Sequence, residues 1–432
     1  MRHELGWSDL AGARVGVFGA GIEGRSAILR LRELTDELCV VDDDASVIVE
    51  DIEVVASDRG GLELLGSCDV VIKAPGISAY RPDVLGLEAA GVAVVGGVGL
   101  SLHELDRSRV VCVTGTKGKS TTVSVLGHLL AGLGARVEVT GNIGRPPFDP
   151  SVPTDLDVLV IETSSFQALD IADAPGVVAV SSLAVDHVDW HGSAVRYQHD
   201  KLSLTSLPGA GITIAQGASA ALRRHEALLG GELRWVEGAA GPWAEGLGLL
   251  GKHNLANAEI ARSILVALGI EGAEDPDALA AAAAGFEGLP GRLSEVAVIG
   301  PVRFIDDSLA TNVLSTLAAL DSFEGERLAI LVGGHDRGVD YAALIEALSE
   351  RPAPTLVVGL PESGSRLVAA VEATGSDSEV AMATDVATAT AIAAAWAAPG
   401  GVVLLSPAAP SFSQFRSWRE RSAAFAEAIA SL

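Results

Sequence analysis

The stretch Val110–Thr122, VVCVTGTKGKSTT, decides how the rest of the chain is read. An apolar run ends in a glycine-rich turn, and Lys119, Ser120 and Thr121 open a helical pattern. That layout suits a bound phosphate. Backbone N–H groups and the helix N-terminus face phosphate oxygens, the lysine neutralises them, and a hydroxyl reaches Mg²⁺. Gly115, Thr116, Lys117, Gly118, Lys119, Ser120 and Thr121 are therefore the candidate nucleotide cradle. Position 113 is valine rather than the first glycine of the general G-x-x-x-x-G-K-[ST] pattern, so the form here is the shorter T-G-T-x-G-K-S.

Composition narrows the class. A chain of 432 residues suggests about two to four domains. It is 49% hydrophobic but only 4% aromatic, with abundant alanine and glycine, which fits close helix–sheet packing in an α/β protein. A formal net charge of −26 argues against nucleic acid as a partner, because that needs a basic footprint. Cys39, Cys68 and Cys112 form no CxxC pair and no metal-ligand spacing, so buried free thiols in a reducing compartment are expected. The opening MRHELGWSDL lacks an apolar signal core, and no run of ~18 apolar residues spans a membrane. The expectation is a cytoplasmic protein without membrane attachment, and no amphipathic stretch demands a partner.

Three sections emerge along the chain. In residues 1–106, strand candidates Arg14–Phe18, Leu38–Val41 and Val70–Ile72 alternate with helix, and Gly19-Ala20-Gly21-Ile22-Glu23-Gly24 forms a G-x-G-x-x-G fingerprint with Asp42 downstream. An NAD(P)-dependent oxidoreductase would look like this, but the same fold holds many nucleotides and none. Residues 107–289 hold the phosphate loop and strand candidates Val158–Ile161, Val177–Val180 and Ile212–Ala215, followed by a helix over Asn254–Leu268. Residues 290–432 carry strand candidates Val302–Ile305, Ala329–Val332, Thr355–Val358 and Val402–Leu405 with helical patterns between them. The expected architecture is α/β with three domains: an N-terminal Rossmann-like domain, a central P-loop ATPase-type domain and a C-terminal Rossmann-like domain. Loops after the strands should carry the site.

Several polar clusters follow strand candidates. Glu162 stands where an acidic Mg²⁺ ligand of a nucleotide enzyme belongs. His187, between Asp186 and Asp189, is a second candidate ligand, and Lys201 follows in a polar helical stretch. Asn254 and Asn257 present two amides near a helix start, able to read a nucleobase or to cap the helix. Arg292, Asp307, Thr311, Arg337 and the Ser406–Phe412 segment complete the set.

In this order the motifs TGTKGKSTT, GNIG (Gly141–Gly144), ETSSFQ (Glu162–Gln167), DHVDWHG (Asp186–Gly192), GKHNLANA (Gly251–Ala258), GLPGR (Gly288–Arg292), DDSLATN (Asp306–Asn312) and LLSPAAPSFSQF (Leu404–Phe415) resemble the Mur ligase family, and above all its glutamate-adding members. The resemblance covers essentially the whole chain, and it implies a monomer, the usual state in the family. It implies an ATP-dependent amide ligase of peptidoglycan precursor synthesis, acting on UDP-N-acetylmuramoyl-L-alanine and glutamate through an acyl phosphate. It assigns Lys119 to the ATP β/γ-phosphates, Ser120 and Glu162 to one Mg²⁺, and His187 with Lys201 to a second. In many members that lysine is carbamylated, because a protonated amine has no lone pair to offer a metal. The catalytic set it implies is Lys119, His187 and Lys201. Asn254 and Asn257 would lie on the adenine side, and Arg292 and Asp307 would reach ATP from the third domain. Asn142 and Ser164 would position the muramoyl-peptide, and Gly21, Ile22, Glu23, Gly76, Ile77 and Ser78 would line a UDP pocket. That demotes the oxidoreductase reading. A non-catalytic ATP-binding regulator would be expected to lose Lys119, Glu162, His187 or Lys201, and all four are present.

The departures cluster on the amino-acid pocket. Where D-glutamate-adding members usually carry lysine in the D-S-x-A-T-N motif, this chain has Leu309. Trp418 stands for the usual phenylalanine, and Arg337 replaces a loop lysine. Leucine cannot pair with a carboxylate, whereas Arg337 offers a bidentate clamp. Thr311 and Ser411 are retained as hydroxyl donors, with Phe412 beside them. These changes resemble the branch that adds L-glutamate, which tips the expectation toward that isomer; the alternative is that Leu309 is a neutral change and the substrate is D-glutamate, as in most relatives.

Overall fold

The central strands are short apolar runs buried along their whole length, such as Val15–Phe18, Val110–Thr114 and Val177–Val180. A strand covered by helices on both faces of a parallel sheet reads this way, without polar alternation. In the computed structural model, which describes residues 2–44, 46–412 and 414–432, such runs build three sheets. The first contains β1 (Val15–Phe18), β2 (Leu38–Asp42), β3 (Val54–Ala56), β4 (Val70–Lys73) and β5 (Ala93–Val95) in the order β3-β2-β1-β4-β5. All its pairings are parallel.

The second sheet contains β6 (Val110–Thr114), β7 (Val137–Gly141), β8 (Val158–Glu162), β9 (Val177–Val180), β10 (Ile212–Gln216) and β11 (Glu232–Val236). Its order is β11-β10-β9-β6-β8-β7, again all parallel. The third contains β12 (Ser294–Ile299), β13 (Val302–Asp306), β14 (Leu328–Gly334), β15 (Thr355–Glu362), β16 (Glu379–Met382) and β17 (Gly401–Leu405), ordered β12-β13-β17-β14-β15-β16. Only its β12–β13 pair is antiparallel among the described strands. The expected α/β architecture is therefore present.

The chain forms two compact units. One comprises residues 1–246 and 256–284, the other residues 247–255 and 285–432. The first unit holds the first two sheets, and their residues share one core, running from Trp7 and Val17 through Val98 and Phe148 to Val178. Trp7 and Phe148 meet at 5.1 Å between ring centroids, and the Trp7 indole N–H donates to Ser101 Oγ at 3.0 Å. In the second unit the two faces of the third sheet have separate cores. Ile330 and Leu404 lie in one, Leu331 and Leu405 in the other, as the period-two alternation of a strand requires.

The fingerprint glycines divide their labour. Gly19 has φ +95°, a turn only glycine makes without strain. A Cβ on Gly24 would stand 1.9 Å from the Gly19 carbonyl oxygen, so the helix Ile22–Leu31 packs on β1 only because Gly24 has none. A Cβ on Gly21 would meet nothing within 4 Å. Asp42 does not reach out for a ribose: Oδ2 accepts from the Ala20 N–H at 2.7 Å and Oδ1 from the Asp44 N–H at 2.9 Å. All three cysteines are free, but Cys39 is only half-buried, because its strand lies next to the sheet edge. Among the described residues no helix is long and apolar enough to cross a membrane.

Gly24→Ala should destabilise the first unit by about 1–3 kcal/mol through overpacking, while Gly21→Ala leaves stability within about 0.5 kcal/mol. Urea unfolding of both variants checks this, and equal midpoints would refute it.

Candidate active site

The order of the second sheet reverses around β6, so the loop after β6 lies at a topological switch point, where open α/β sheets bind ligands. Gly115 has φ +139° and Gly118 φ +89°, and Gly118 precedes the helix Lys119–Gly132. The glycines are also needed for space. A Cβ on Gly115 would stand 2.2 Å from Ser181 Oγ, and one on Gly118 would stand 2.5 Å from Asn257 Oδ1. The predicted Asn257 is thus brought against the predicted phosphate loop. Lys119 Nζ donates to the Gly115 carbonyl at 2.8 Å.

The segment after β9 buttresses this loop. Ser182 Oγ accepts from the Lys117 N–H at 2.8 Å, and Ser181 Oγ donates to the Lys117 carbonyl at 2.6 Å. Thr116 Oγ1 accepts from the Ala184 N–H at 2.9 Å and lies 2.8 Å from the Tyr197 hydroxyl. Sequence reading missed Ser181, Ser182 and Tyr197. Their only local signal is two hydroxyls directly after a buried strand.

Glu162 ends β8 beside Val113 of β6, which sets it at the rim of the loop. Its Oε1 accepts from Asn142 Nδ2 at 2.7 Å, whereas Oε2 is buried with no hydrogen-bond partner. An orphaned buried carboxylate oxygen is costly unless a cation meets it, so the residue fits a divalent ion. Lys201 is 2% exposed, and its Nζ donates to the same Gly115 carbonyl at 3.1 Å. Burial drives this amine well below the usual lysine range, and the charge of Lys119 pushes the same way. His187 caps the short helix Val188–His191 with φ +46°. Burial lowers its pKa, and Lys201 and Lys119 reinforce that against Asp186 and Asp189. A neutral imidazole is the form that ligates a metal. Among the described residues no three His, Cys, Asp or Glu side chains converge as a metal cage.

The acceptor-side residues also meet the helices that follow strands β8 and β9 of the second sheet. Glu23 Oε1 accepts from Gln167 Nε2 at 2.5 Å, and burial pushes its pKa up to about 7. Ser164 is an N-cap: its Oγ accepts from the Gln167 N–H at 3.2 Å, and Gln167 Oε1 accepts from the Ser164 N–H at 2.7 Å. Ser78 Oγ donates to the Trp190 carbonyl at 2.8 Å. Lys73, buried at the end of β4, pairs with Asp170 at 3.0 Å. Gly21 and Ile22 are exposed, and Gly76 and Ile77 precede Ser78 in the loop after β4.

In the second unit the loops after β13, β14 and β17 gather at one rim. Asp307 Oδ1 accepts from the Leu293 N–H at 3.1 Å, beside Arg292, and Oδ2 accepts from Ser406 Oγ at 2.7 Å. Burial raises Asp307 to about 7. The Leu309 N–H donates to the Gly291 carbonyl at 2.9 Å, and a Cβ on Gly291 would stand 2.7 Å from Trp418. Thr311 is half-buried, Ser411 is buried, and Arg337 and Phe412 are exposed. Asn254, buried at the start of the helix Lys252–Ala267, donates to the Leu250 carbonyl at 2.9 Å. Ser413, inside the last motif, lies outside the described residues. Arg421 was missed by sequence reading. It is 1% exposed and donates to the Ser308 carbonyl at 2.8 Å and the Ala409 carbonyl at 3.0 Å, tying two site loops to the helix Trp418–Ala430. Elsewhere in the first unit, a cavity of about 300 Å³ lined by Arg30, Glu104, Arg109, Pro147, Asp149 and Leu159 involves none of the predicted site residues.

Residues 113–233 match the family model described as Mur ligase middle domain, and residues 291–409 match Mur ligase, glutamate ligase domain. A Micromonospora protein named UDP-N-acetylmuramoyl-L-alanine--L-glutamate ligase is 37% identical, over 98% of this chain and 97% of that protein. A protein of the same name from Salinispora tropica is 36% identical, over 98% of each chain. Among solved structures, MurF from Acinetobacter baumannii aligns with a TM-score of 0.57 at 16% identity, over 98% of this chain and 93% of that one, a likeness that concerns the fold alone.

Between roughly pH 4 and 7, folded Glu23 and Asp307 keep protons that the unfolded chain releases. Their contribution to stability is therefore largest on the acid side and is lost as pH rises through about 7. Asp307→Asn should narrow the gap between the thermal midpoints at about pH 6 and about pH 8. An unchanged gap would count against the raised pKa.

Proposed function

This chain belongs to the Mur ligase family, and we propose that it joins L-glutamate to UDP-N-acetylmuramoyl-L-alanine at the expense of ATP. ATP-dependent addition of glutamate in peptidoglycan synthesis is the activity of the family branch to which its full-length relatives belong. The observation that carries the reading is the phosphate loop with two lysine amines on the Gly115 carbonyl and a carboxylate oxygen of Glu162 left without a partner. In this reading residues 1–106 hold the acceptor, 107–289 hold ATP, and 290–432 supply glutamate and further ATP contacts.

In the first step an acceptor carboxylate oxygen attacks the γ-phosphorus, and the bond to the β,γ-bridging oxygen breaks, giving an acyl phosphate and ADP. The glutamate amine then attacks the acyl carbon, loses a proton, and expels phosphate as the amide forms. Lys119 and the N-terminus of the helix Lys119–Gly132 face the negative charge on the transferring group. Ser120 and Glu162 would hold one Mg²⁺, and His187 with Lys201 a second; these ions would neutralise phosphate charge. The lowered pKa of Lys201 favours its neutral amine, the form that can add CO₂ to become an anionic carbamate ligand. Asn257 against Gly118 suits the nucleotide side of the cradle, with Asn254, Arg292 and Asp307 as further ATP contacts. Asn142 and Ser164 are assigned to the peptide end of the acceptor. Gly21, Ile22, Glu23, Gly76, Ile77 and Ser78 are assigned to its UDP end.

The choice of isomer rests on the pocket substitutions. Leu309 offers no charge to the incoming carboxylates, and Arg337, Thr311, Ser411, Phe412 and Trp418 are left to hold them. The Micromonospora and Salinispora relatives both carry L-glutamate in their names, which supports the same choice here.

Phosphate release from ATP with UDP-N-acetylmuramoyl-L-alanine should be at least about tenfold faster with L-glutamate than with D-glutamate, a difference of about 1.4 kcal/mol. Faster release with D-glutamate would overturn the isomer, and no release with either would overturn the activity.

A further inference from the structure

A chain of polar groups in the first unit is used by none of the roles above. The Tyr80 hydroxyl lies 2.9 Å from both carboxylate oxygens of Asp200. Asp200 Oδ2 lies 2.6 Å from His191 Nδ1, and His191 Nε2 lies 3.0 Å from Ser165 Oγ. Serine, histidine and aspartate in this order have the connectivity of a hydrolytic triad. Here, however, His191 is 0% exposed and Ser165 only 2%, so no substrate carbonyl can reach the hydroxyl. What remains is a positioning role.

The ends of the chain indicate what it positions. Tyr80 follows the loop Gly76–Ser78. Asp200 immediately precedes Lys201 on the helix Ala194–Leu202. Successive helical residues point about 100° apart, so one turn presents Asp200 to Tyr80 and Lys201 to the phosphate loop. A second tie runs beside the first. The Trp190 indole N–H donates to the Pro75 carbonyl at 3.2 Å and the Gly76 carbonyl at 3.3 Å, while Ser78 Oγ donates back to the Trp190 carbonyl. The Trp190 ring stacks on Phe166 with centroids 4.5 Å apart, and Phe166 meets His187 edge-on at 4.9 Å. Arg196 lies over the Tyr80 ring at 4.5 Å. The loop after β4 is thus fastened by part-buried, directional contacts to the helix Ala194–Leu202 that carries Lys201 and to the short helix Val188–His191 that His187 precedes.

We propose that Asp200 is a positioning residue that couples the loop Gly76–Ser78 to Lys201, so that a uridine nucleotide held by the loop and ATP held by the phosphate loop change each other's affinity through Tyr80, Asp200 and His191. This rests on the acceptor and ATP assignments made above. The coupling is reciprocal, because both ligands bias the position of one helical turn. Tyr80→Phe keeps the ring under Arg196 and removes only the hydroxyl. Asp200→Asn keeps the shape and removes the charge that holds His191.

The test is calorimetric titration of the full chain with a non-hydrolysable ATP analogue and Mg²⁺, with and without saturating UDP-N-acetylmuramoyl-L-alanine. In the unaltered protein the acceptor should change the analogue's affinity by about fivefold or more. In Tyr80→Phe the change should fall to within about twofold, with each ligand alone still binding within about threefold of the original. Asp200→Asn should lose the coupling as well. Coupling retained in Tyr80→Phe, independent binding in the unaltered protein, or a loss of both affinities with their ratio unchanged would each overturn the proposal. Failure of the unaltered chain to bind either ligand would instead overturn the assignments beneath it.

Discussion

Two lysine amines converge on one carbonyl oxygen, that of Gly115, and much of the first unit is arranged around this arrangement. Two ammonium groups at this spacing repel, and Lys201 is buried besides. Burial and the neighbouring charges of Lys119 and Lys117 all favour a neutral Lys201. Gly115 presents its carbonyl inward because its φ of +139° is open to glycine alone. That backbone is held from behind by Ser181, Ser182 and Thr116, so the loop is stiff before any ligand arrives. Stiffness matters because preorganised donors do not have to reorganise when charge develops on a transferring phosphoryl group.

The acidic groups show the complementary pattern. Glu162 keeps one oxygen on Asn142 and leaves the other without a protein partner, which is tolerable where a cation completes the site and costly otherwise. In the second unit, Asp306 and Asp307 lie side by side under the rim, with Arg421 near Asp306. Burial lowers the Arg421 pKa to about 10, yet both terminal nitrogens remain bonded to the carbonyls of Ser308 and Ala409. A buried guanidinium is expensive unless its donors are satisfied; here the two terminal nitrogens join two loops that are distant in sequence, while Nε is buried without a partner.

The first sheet illustrates how a fold-level motif misleads when read alone. Its G-x-G-x-x-G loop has the glycine geometry of a dinucleotide fingerprint, since Gly19 turns the chain and Gly24 admits the helix. Yet Asp42, which would hold a ribose, is spent on the loop's own Ala20 and on Asp44. Glu23 turns toward Gln167 on the short helix Ser165–Leu169 that follows β8. The Glu23 side chain is thereby tied to the central segment, a use that spacing in the sequence cannot express.

What was legible in the sequence was whatever burial writes into consecutive residues. Every strand read as an apolar run lies in the interior of a sheet, because a strand covered on both faces must be apolar throughout. The strands that went unread, β3, β5, β7, β11, β12 and β16, are the edges of the three sheets. These edge strands face solvent along part of their length and so lack an unbroken apolar run: ELRWV alternates exposed Glu232 and Arg234 with part-buried Leu233 and Trp235, and SEVAVI carries no clear period. The phosphate loop, Glu162 and His187 can be picked out because each follows an apolar run or stands in a compact motif, whereas Lys201, in a polar helical stretch, is assigned only through the family resemblance. Tertiary structure alone decided that Tyr80 meets Asp200 across 120 positions, that Asn257 fills the space beside Gly118, and that Arg421 pins Ser308. The physical reason is that hydrophobic periodicity records only whether a residue is covered. Which partner satisfies a buried polar group is settled when distant segments meet.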